Sequence, residues 1–199
     1  VKLAKEEIQA NAMLDFEAFT QSRHSIRNFA EGEVAIDEIQ LAVSLALKTP
    51  SVCNRQSWRV HVFSEPEDKG DLLHFQNGNK GFGHMASKLL VVTTDLRSFA
   101  SAGERYQGWV DGGMFSMSLL YALHSLGLGA CPLNWNVTAN RDEAMRERAG
   151  IPPHELVIMM IAVGQLPDEL EVPESRRLSP TEILFAHGPN SSDLDGEAL

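Results

Sequence analysis

The amino-acid sequence predicts an α+β domain, because segments with helical periodicity alternate with segments typical of strands. The longest helical segment covers 108–125, where apolar side chains recur at the spacing of one helix face. Apolar and β-branched residues predominate in strand-like segments at 58–63, 88–94 and 156–164. The 199 residues are enough for one domain with a sizeable core.

The remaining elements follow from the same patterns and from capping signals. We expect residues 1–187 to form the single domain, with 1–18 as a helical lead-in, and 188–199 to be a disordered tail. Further helices are predicted over 36–48, over 66–75 with Pro66 in the first turn, and from Thr138 or Asn140 to Ala149, before Gly150.

The charge balance argues against two classes of partner. The chain has 17 Lys and Arg against 27 Asp and Glu, a net charge of −10, which disfavours nucleic acid and anionic membranes. Its two cysteines form neither a zinc pattern nor a disulfide framework, and no signal peptide is visible, so we expect a cytoplasmic protein. The seven histidines show no HExxH pattern, and no metal site is predicted.

One stretch has the length of a membrane span. Residues 112–134 contain no Lys, Arg, Asp or Glu. The stretch also contains several serines and the Gly127-Leu128-Gly129 break. These features favour a buried helix followed by a strand.

Two polar clusters flank the helix predicted at 36–48. The first places Arg23, Ser25 and Arg27 two residues apart, so an extended backbone aims all three side chains the same way. Two guanidiniums and a hydroxyl on one face suit an anion or a row of carbonyl acceptors. The second cluster covers 50–58, where Pro50 stops the helix and small and amide side chains follow.

These two motifs, R-x-S-x-R-x-F and P-S-x-x-N-x-Q-x-W, resemble the opening of the FMN-dependent nitroreductase family. The resemblance covers Phe19–Leu184 and is strongest to nitroreductase-like proteins of bacterial polysaccharide clusters. It implies a three-layer α/β/α fold with a central mixed sheet and an intertwined homodimer. It also implies an FMN between the subunits, with the Pro50 segment supplied by the chain opposite to the Arg23 motif.

The resemblance further implies a set of cofactor-binding residues. Arg27 would tune the redox potential from beside the flavin ring, while Arg23 and Ser25 hold ribityl and phosphate oxygens and His24 contacts the ring through its backbone. Either Arg176 or Arg177 would hold the phosphate, and the spacing leaves this choice open. The other implied residues are Pro50, Ser51, Val52, Asn54, Asn79, Lys80, Pro132, Leu133 and Asn134. On its own, the glycine-rich stretch at 77–83 is equally well explained as a flexible connection.

The function implied is that of an FMN-dependent oxidoreductase that uses NAD(P)H to reduce a nitroaromatic, a quinone or a similar acceptor. The hydride chemistry takes place on the flavin, so no protein acid or base is assigned as catalytic. Two alternatives remain open. One is a flavin-binding electron-transfer module with little turnover, and the other is the flavin-consuming branch of the same fold. The sequence specifies neither the acceptor nor the choice between NADH and NADPH.

Overall fold

A single antiparallel sheet organises the computed structural model, which describes residues 15–187. Its strands are β1 (Trp58–Phe63), β2 (Lys88–Asp95), β3 (Leu128–Asn134) and β4 (Glu155–Gln165), in the order β1-β2-β4-β3. All three pairings are antiparallel, so the expectation of a mixed sheet is wrong for this part of the chain. The reason lies in the connections. The chain leaves β1 and enters β2 at the same end of the sheet, where Phe63 pairs with Leu89, so the two strands run in opposite directions.

Six α-helices accompany the sheet within the described range. They are α1 (Phe16–Ser22), α2 (Ile36–Ala46), α3 (Pro66–His74), α4 (Gln107–Ser125), α5 (Ala139–Ala149) and α6 (Pro180–Ile183). The helices predicted at 36–48, 66–75, 108–125 and 138–149 are therefore confirmed to within about two residues. The beginning of the predicted lead-in and the predicted tail at 188–199 lie outside the described residues.

The helices cover both faces of the sheet, which confirms the three-layer architecture. On one face α2 and α4 pack on alternate strand residues such as Leu90 and Val92. On the other face α3 and α5 pack on the intervening residues such as Leu89 and Val91. Two apolar cores result, one on each side of the sheet, because successive strand side chains point to opposite faces.

The central helix α4 approaches the sheet closely at Gly112. A Cβ atom at this position would lie 2.5 Å from Cγ1 of Ile158, so only glycine fits there. No helix in the described range is long and apolar enough to cross a membrane. The uncharged stretch 112–134 is instead most of α4 followed by β3, as its serines and glycines predict.

Candidate functional site

The Arg23 motif lies beside the outer edge of β3. The N–H of Ile26 donates to the carbonyl of Ala130 over 3.0 Å, and the N–H of Ala30 donates to the carbonyl of Gln165 over 3.0 Å. The Ile26 side chain is buried and anchors the segment in the core, whereas Arg23, Ser25 and Arg27 remain accessible. The sheet edge thus fixes the position of a row of polar side chains.

These side chains line a cavity of about 520 Å³, which we call the arginine cavity. Its wall contains Arg23, Ser25 and Arg27 of the motif, together with Arg177 from the C-terminal segment. Of the two arginines left open by the sequence, only Arg177 lines this cavity. The residues that complete the wall include Thr20, Met117, Tyr121 and Glu174.

The guanidiniums of Arg23 and Arg27 are available to bind a ligand. None of the ion pairs within residues 15–187 uses either side chain. Arg177 donates only to the carbonyl of Ser175, over 2.9 Å. The cavity therefore offers several N–H donors and positive charge to an anionic ligand, the arrangement that suits a phosphate group.

A smaller cavity of about 290 Å³ adjoins the arginine cavity and contains a hydrogen-bonded pair that the sequence did not reveal. Ser22 Oγ lies 2.9 Å from Nε2 of His124, and the Ser22 hydroxyl donates to the carbonyl of Phe19 over 3.0 Å. Burial lowers the pKa of His124, and the charges of Arg23 and His24 act in the same direction, against an opposing hydrogen bond to the backbone of Phe19. A neutral imidazole whose Nε2–H donates to Ser22 satisfies this geometry.

The second motif forms a tight turn at the other end of α2. Three non-glycine residues in it, Cys53, Asn54 and Gln56, have φ angles of 48°, 54° and 50°. This left-handed conformation is uncommon outside glycine, and such strain concentrates at functional sites. The turn is stabilised by the N–H of Gln56, which donates to Ser51 Oγ over 3.0 Å.

A buried carboxylate on α4 holds the same turn in place. Asp111 is only 1% exposed, and its Oδ2 accepts from the N–H of Val52 over 3.3 Å. Its other oxygen accepts from Nε2 of Gln107 over 2.7 Å. No pattern in the sequence singled out Asp111 as a partner of this motif. None of the residues 50–54 lines the arginine cavity of the same chain.

The side chains predicted from the glycine-rich loop and from β3 do not line the arginine cavity. The Asn79 amide donates to the carbonyls of Leu73 and Gln76, over 2.8 and 2.6 Å, so it stabilises its own loop. Lys80 is exposed in a different cavity. On β3, Leu133 is buried in the core and can offer a ligand only its backbone, while Asn134 is exposed and Pro132 is half-buried.

The buried thiol and the possibility of a metal site can be assessed directly. Burial raises the pKa of the Cys131 thiol, although the charge of Arg27 opposes this effect, so the thiol stays protonated and unreactive. Within residues 15–187, no cluster of three or more His, Cys, Asp or Glu could hold a metal ion.

The structure thus has an α+β fold and, beside the edge of its sheet, a cavity lined by three arginines. The model of the nitroreductase family matches residues 20–76 and 64–165. The chain therefore belongs to the nitroreductase family.

Relatives and solved structures agree with this assignment. A protein of Archaeoglobus fulgidus, with the provisional name NADH dehydrogenase/NAD(P)H nitroreductase, is 28% identical over 167 residues, covering 81% of this chain and 92% of the relative. The nitroreductase family protein of Streptococcus pneumoniae has a TM-score of 0.74 at 20% identity, over 87% of this chain and 100% of the other. The FMN-dependent nitroreductase of Clostridium difficile has a TM-score of 0.71 at 22% identity, over 85% of this chain and 98% of the other.

Proposed function

We propose that this protein is an FMN-dependent oxidoreductase that uses NAD(P)H to reduce an electrophilic acceptor. The observation that carries the proposal is the arginine cavity, where Arg23, Arg27 and Arg177 converge with no carboxylate paired to Arg23 or Arg27 within the described chain. The names of the relatives support the same chemistry, since they include NAD(P)H nitroreductase and FMN-dependent nitroreductase.

The residues of the cavity fit a flavin mononucleotide. Arg23 and Arg177 would bind the phosphate and Ser25 a ribityl hydroxyl, because guanidiniums form charge-assisted hydrogen bonds with phosphate oxygens. Arg27 would lie beside the ring and stabilise the negative charge of its reduced form. Bound FMN supplies hydride transfer between NAD(P)H and an acceptor such as a nitroaromatic or a quinone. The backbone of Pro132 to Asn134 would border the ring.

We further propose that two chains complete each site. The exposed faces of α2 and α4 carry large apolar side chains that are 40–50% accessible in the single chain, namely Leu41, Leu45, Trp109, Val110 and Met114. Such a patch on a single chain is typical of an interface between subunits. A homodimer would cover it and bring the Pro50–Asn54 turn of one chain to the arginine cavity of the other. The free thiols of Cys53 and Cys131 suit the reducing cytoplasm, where we place the protein.

The first experiment is the absorbance spectrum of the purified protein. It should show oxidised flavin, and heating should release FMN and not FAD. The variant with both Arg23→Ala and Arg27→Ala should be purified colourless and should not take up added FMN. Colourless wild-type protein that takes up no FMN would contradict the proposal.

Turnover separates an enzyme from a flavin-binding electron carrier. NADPH or NADH oxidation with menadione as acceptor should be fast and should not consume the flavin. If the flavin becomes reduced once and then turns over only slowly, the protein is an electron-transfer module. A change in the mass of the recovered flavin would indicate the flavin-consuming reaction.

A further inference from the structure

A second group of basic residues lies on the opposite face of the sheet from α4. The residues at its core are Lys80 and Arg141, and none of the ion pairs within residues 15–187 involves either of them. Such unpaired cations are notable in a chain with 27 acidic and 17 basic residues. Their lack of carboxylate partners indicates a site that an external anion could fill.

These two residues line a cavity of about 500 Å³ beside α3 and α5, which we call the lysine cavity. Its ionisable lining residues are His74, Lys80, His84 and Arg141, and no Asp or Glu lines it. An imidazole offers at least one N–H donor in every protonation state that occurs in proteins. The lysine cavity therefore combines positive charge with hydrogen-bond donors and carries no opposing charge on its wall.

The walls of the lysine cavity are held by hydrogen bonds within the chain. Arg141 Nε donates to the carbonyl of Phe75 over 2.6 Å, and its Nη2 donates to the carbonyl of His74. The guanidinium carbon of Arg141 also lies 5.8 Å from the centroid of the Phe75 ring. These contacts fix Arg141 while its Nη1 hydrogens have no acceptor within the described chain. The Asn79 amide donates to two carbonyls of the chain before it and so stabilises the loop that contains Lys80.

The position of the lysine cavity relates it to the proposed flavin site. Gln76, which lines it, donates through Nε2 to the carbonyl of Asn134 over 3.1 Å, at the end of β3. Asn134 belongs to the segment that we place beside the flavin ring. The lysine cavity shares no lining residue with the arginine cavity. One chain thus has two separate cavities lined by basic residues, and β3 lies between them.

We infer that the lysine cavity binds the 2′-phosphate of NADPH and makes the enzyme prefer NADPH to NADH. This inference rests on the proposed function. The two dinucleotides share the pyrophosphate, so only the added phosphate monoester can produce a preference. A monoester carries close to two negative charges at neutral pH. The lysine cavity offers two unpaired cations and two imidazoles and has no Asp or Glu in its wall, so its charge is complementary to that of the monoester.

Calorimetric titration of the purified protein tests the inference without relying on turnover. The probes are 2′,5′-ADP, which carries the 2′-phosphate, 5′-AMP, which lacks it, and inorganic phosphate. We expect 2′,5′-ADP to bind about tenfold more tightly than 5′-AMP or phosphate, the scale of one charge-assisted hydrogen bond. Lys80→Met should abolish most of this difference. Lys48→Met removes an exposed lysine outside the cavity and should leave it unchanged.

The kinetic counterpart is the ratio of the KM values for NADPH and NADH. Lys80→Met should raise the KM for NADPH about tenfold, with little effect on the KM for NADH or on kcat. Equal binding of 2′,5′-ADP and 5′-AMP by the wild type would overturn the inference, as would phosphate binding as tight as that of 2′,5′-ADP. It would also be overturned if Lys80→Met weakened FMN binding instead, because Lys80 would then belong to the flavin site. Failure to bind FMN would count against the proposed function alone, since the nucleotide titration needs no flavin.

Discussion

The N–H of Val52 donates to the buried carboxylate of Asp111 over 3.3 Å and so ties the turn after α2 to the central helix α4. The same carboxylate accepts from Gln107 over 2.7 Å. Both of its oxygens are therefore engaged by donors. A turn with three strained backbone positions needs such a restraint, because each position of this kind costs about 1–3 kcal/mol and persists only when its surroundings enforce it.

Replacing Asp111 should therefore destabilise the protein and disorder the turn. In Asp111→Asn the NH₂ group would face one of the two donors, and this partly buried donor would lose its acceptor. We expect the free energy of unfolding to fall by about 1–3 kcal/mol, measured by urea denaturation. Asp168→Asn changes an exposed carboxylate by the same chemistry and should stay within about 0.5 kcal/mol. Equal stabilities of the two variants would contradict the role assigned to Asp111.

Two adjacent glycines of α4 provide a test of its packing. A Cβ at Gly112 would lie 2.5 Å from Ile158, whereas a Cβ at Gly113 would have no neighbour within 4 Å. Gly112→Ala should lower the free energy of unfolding by about 1–3 kcal/mol, because the sheet or the helix must shift. Gly113→Ala should raise it by up to about 1 kcal/mol through better helix propensity. Thermal denaturation of both variants under conditions that keep the chain monomeric checks the difference in sign.

The pairing of Asp95 with Arg97 should make stability depend on pH in the acid range. The hydrogen bond from the Arg97 side chain lowers the pKa of Asp95 from 3.8 to about 2. Because the pKa is lower in the folded state, the stabilisation is complete above about pH 4 and is lost as the pH falls towards 2. A pKa difference of this size corresponds to about 2.5 kcal/mol, but solvent screens a side chain that is 67% exposed, as Arg97 is. Arg97→Ala should then lower the free energy of unfolding at pH 7 by clearly less than this upper value.

Comparison of denaturation curves of Arg97→Ala and wild type between pH 7 and pH 2 measures this contribution. The two stabilities should converge as Asp95 becomes protonated. Arg105→Ala is a suitable control, since Arg105 is exposed and stacks on Tyr106, with 4.5 Å from the guanidinium carbon to the ring centroid. A difference between wild type and Arg97→Ala that stays constant down to pH 2 would exclude the electrostatic explanation.

Local patterns were sufficient to predict the four strands and the helices α2 to α5, because each of these elements buries one face and this burial is encoded in residue spacing. They also predicted the shared direction of Arg23, Ser25 and Arg27. They did not predict the antiparallel sheet, which depends on where the connection after β1 re-enters the sheet. Nor did they identify Asp111 or His124, whose partners are 59 and 102 residues away in the sequence.

The choice between Arg176 and Arg177 illustrates the same limit. Their adjacency means that no spacing argument separates them, whereas the path of the C-terminal segment places only Arg177 on the wall of the arginine cavity. The assignment of Asn79 to the flavin was based on the family resemblance, which places an amide of this loop near the cofactor. Its amide is in fact committed to two carbonyls of its own loop, and this contact can be recognised only in three dimensions.

The proposed role of Arg27 leads to a prediction for the flavin potential. Removing its positive charge should destabilise the reduced, negatively charged flavin more than the oxidised form. We expect Arg27→Ala to lower the two-electron potential by about 30 mV, equivalent to about 1.4 kcal/mol. Arg27→Lys keeps the charge and should restore most of the potential. An unchanged or raised potential in Arg27→Ala, with FMN still bound, would remove Arg27 from this role.

The distance between the two motifs leads to the prediction of a site shared by two chains. Helix α2 separates them, and its 11 residues extend over about 16 Å at 1.5 Å per residue. The Pro50–Asn54 turn is also absent from the wall of the arginine cavity of its own chain. A two-fold axis can bring the turn of each chain to the cavity of the other, which gives two identical sites.

Mixing two inactive variants tests this arrangement. One carries Arg23→Ala and Arg27→Ala, and the other carries Ser51→Trp and Asn54→Ala; each alone should bind no FMN and show no turnover. A heterodimer should contain one site with four substitutions and one with none, so it should bind one FMN and recover about half of the wild-type activity per dimer. Heterodimers isolated with two different affinity tags should show this directly. If they form but bind no FMN, then each site is built within one chain and the shared-site proposal is wrong.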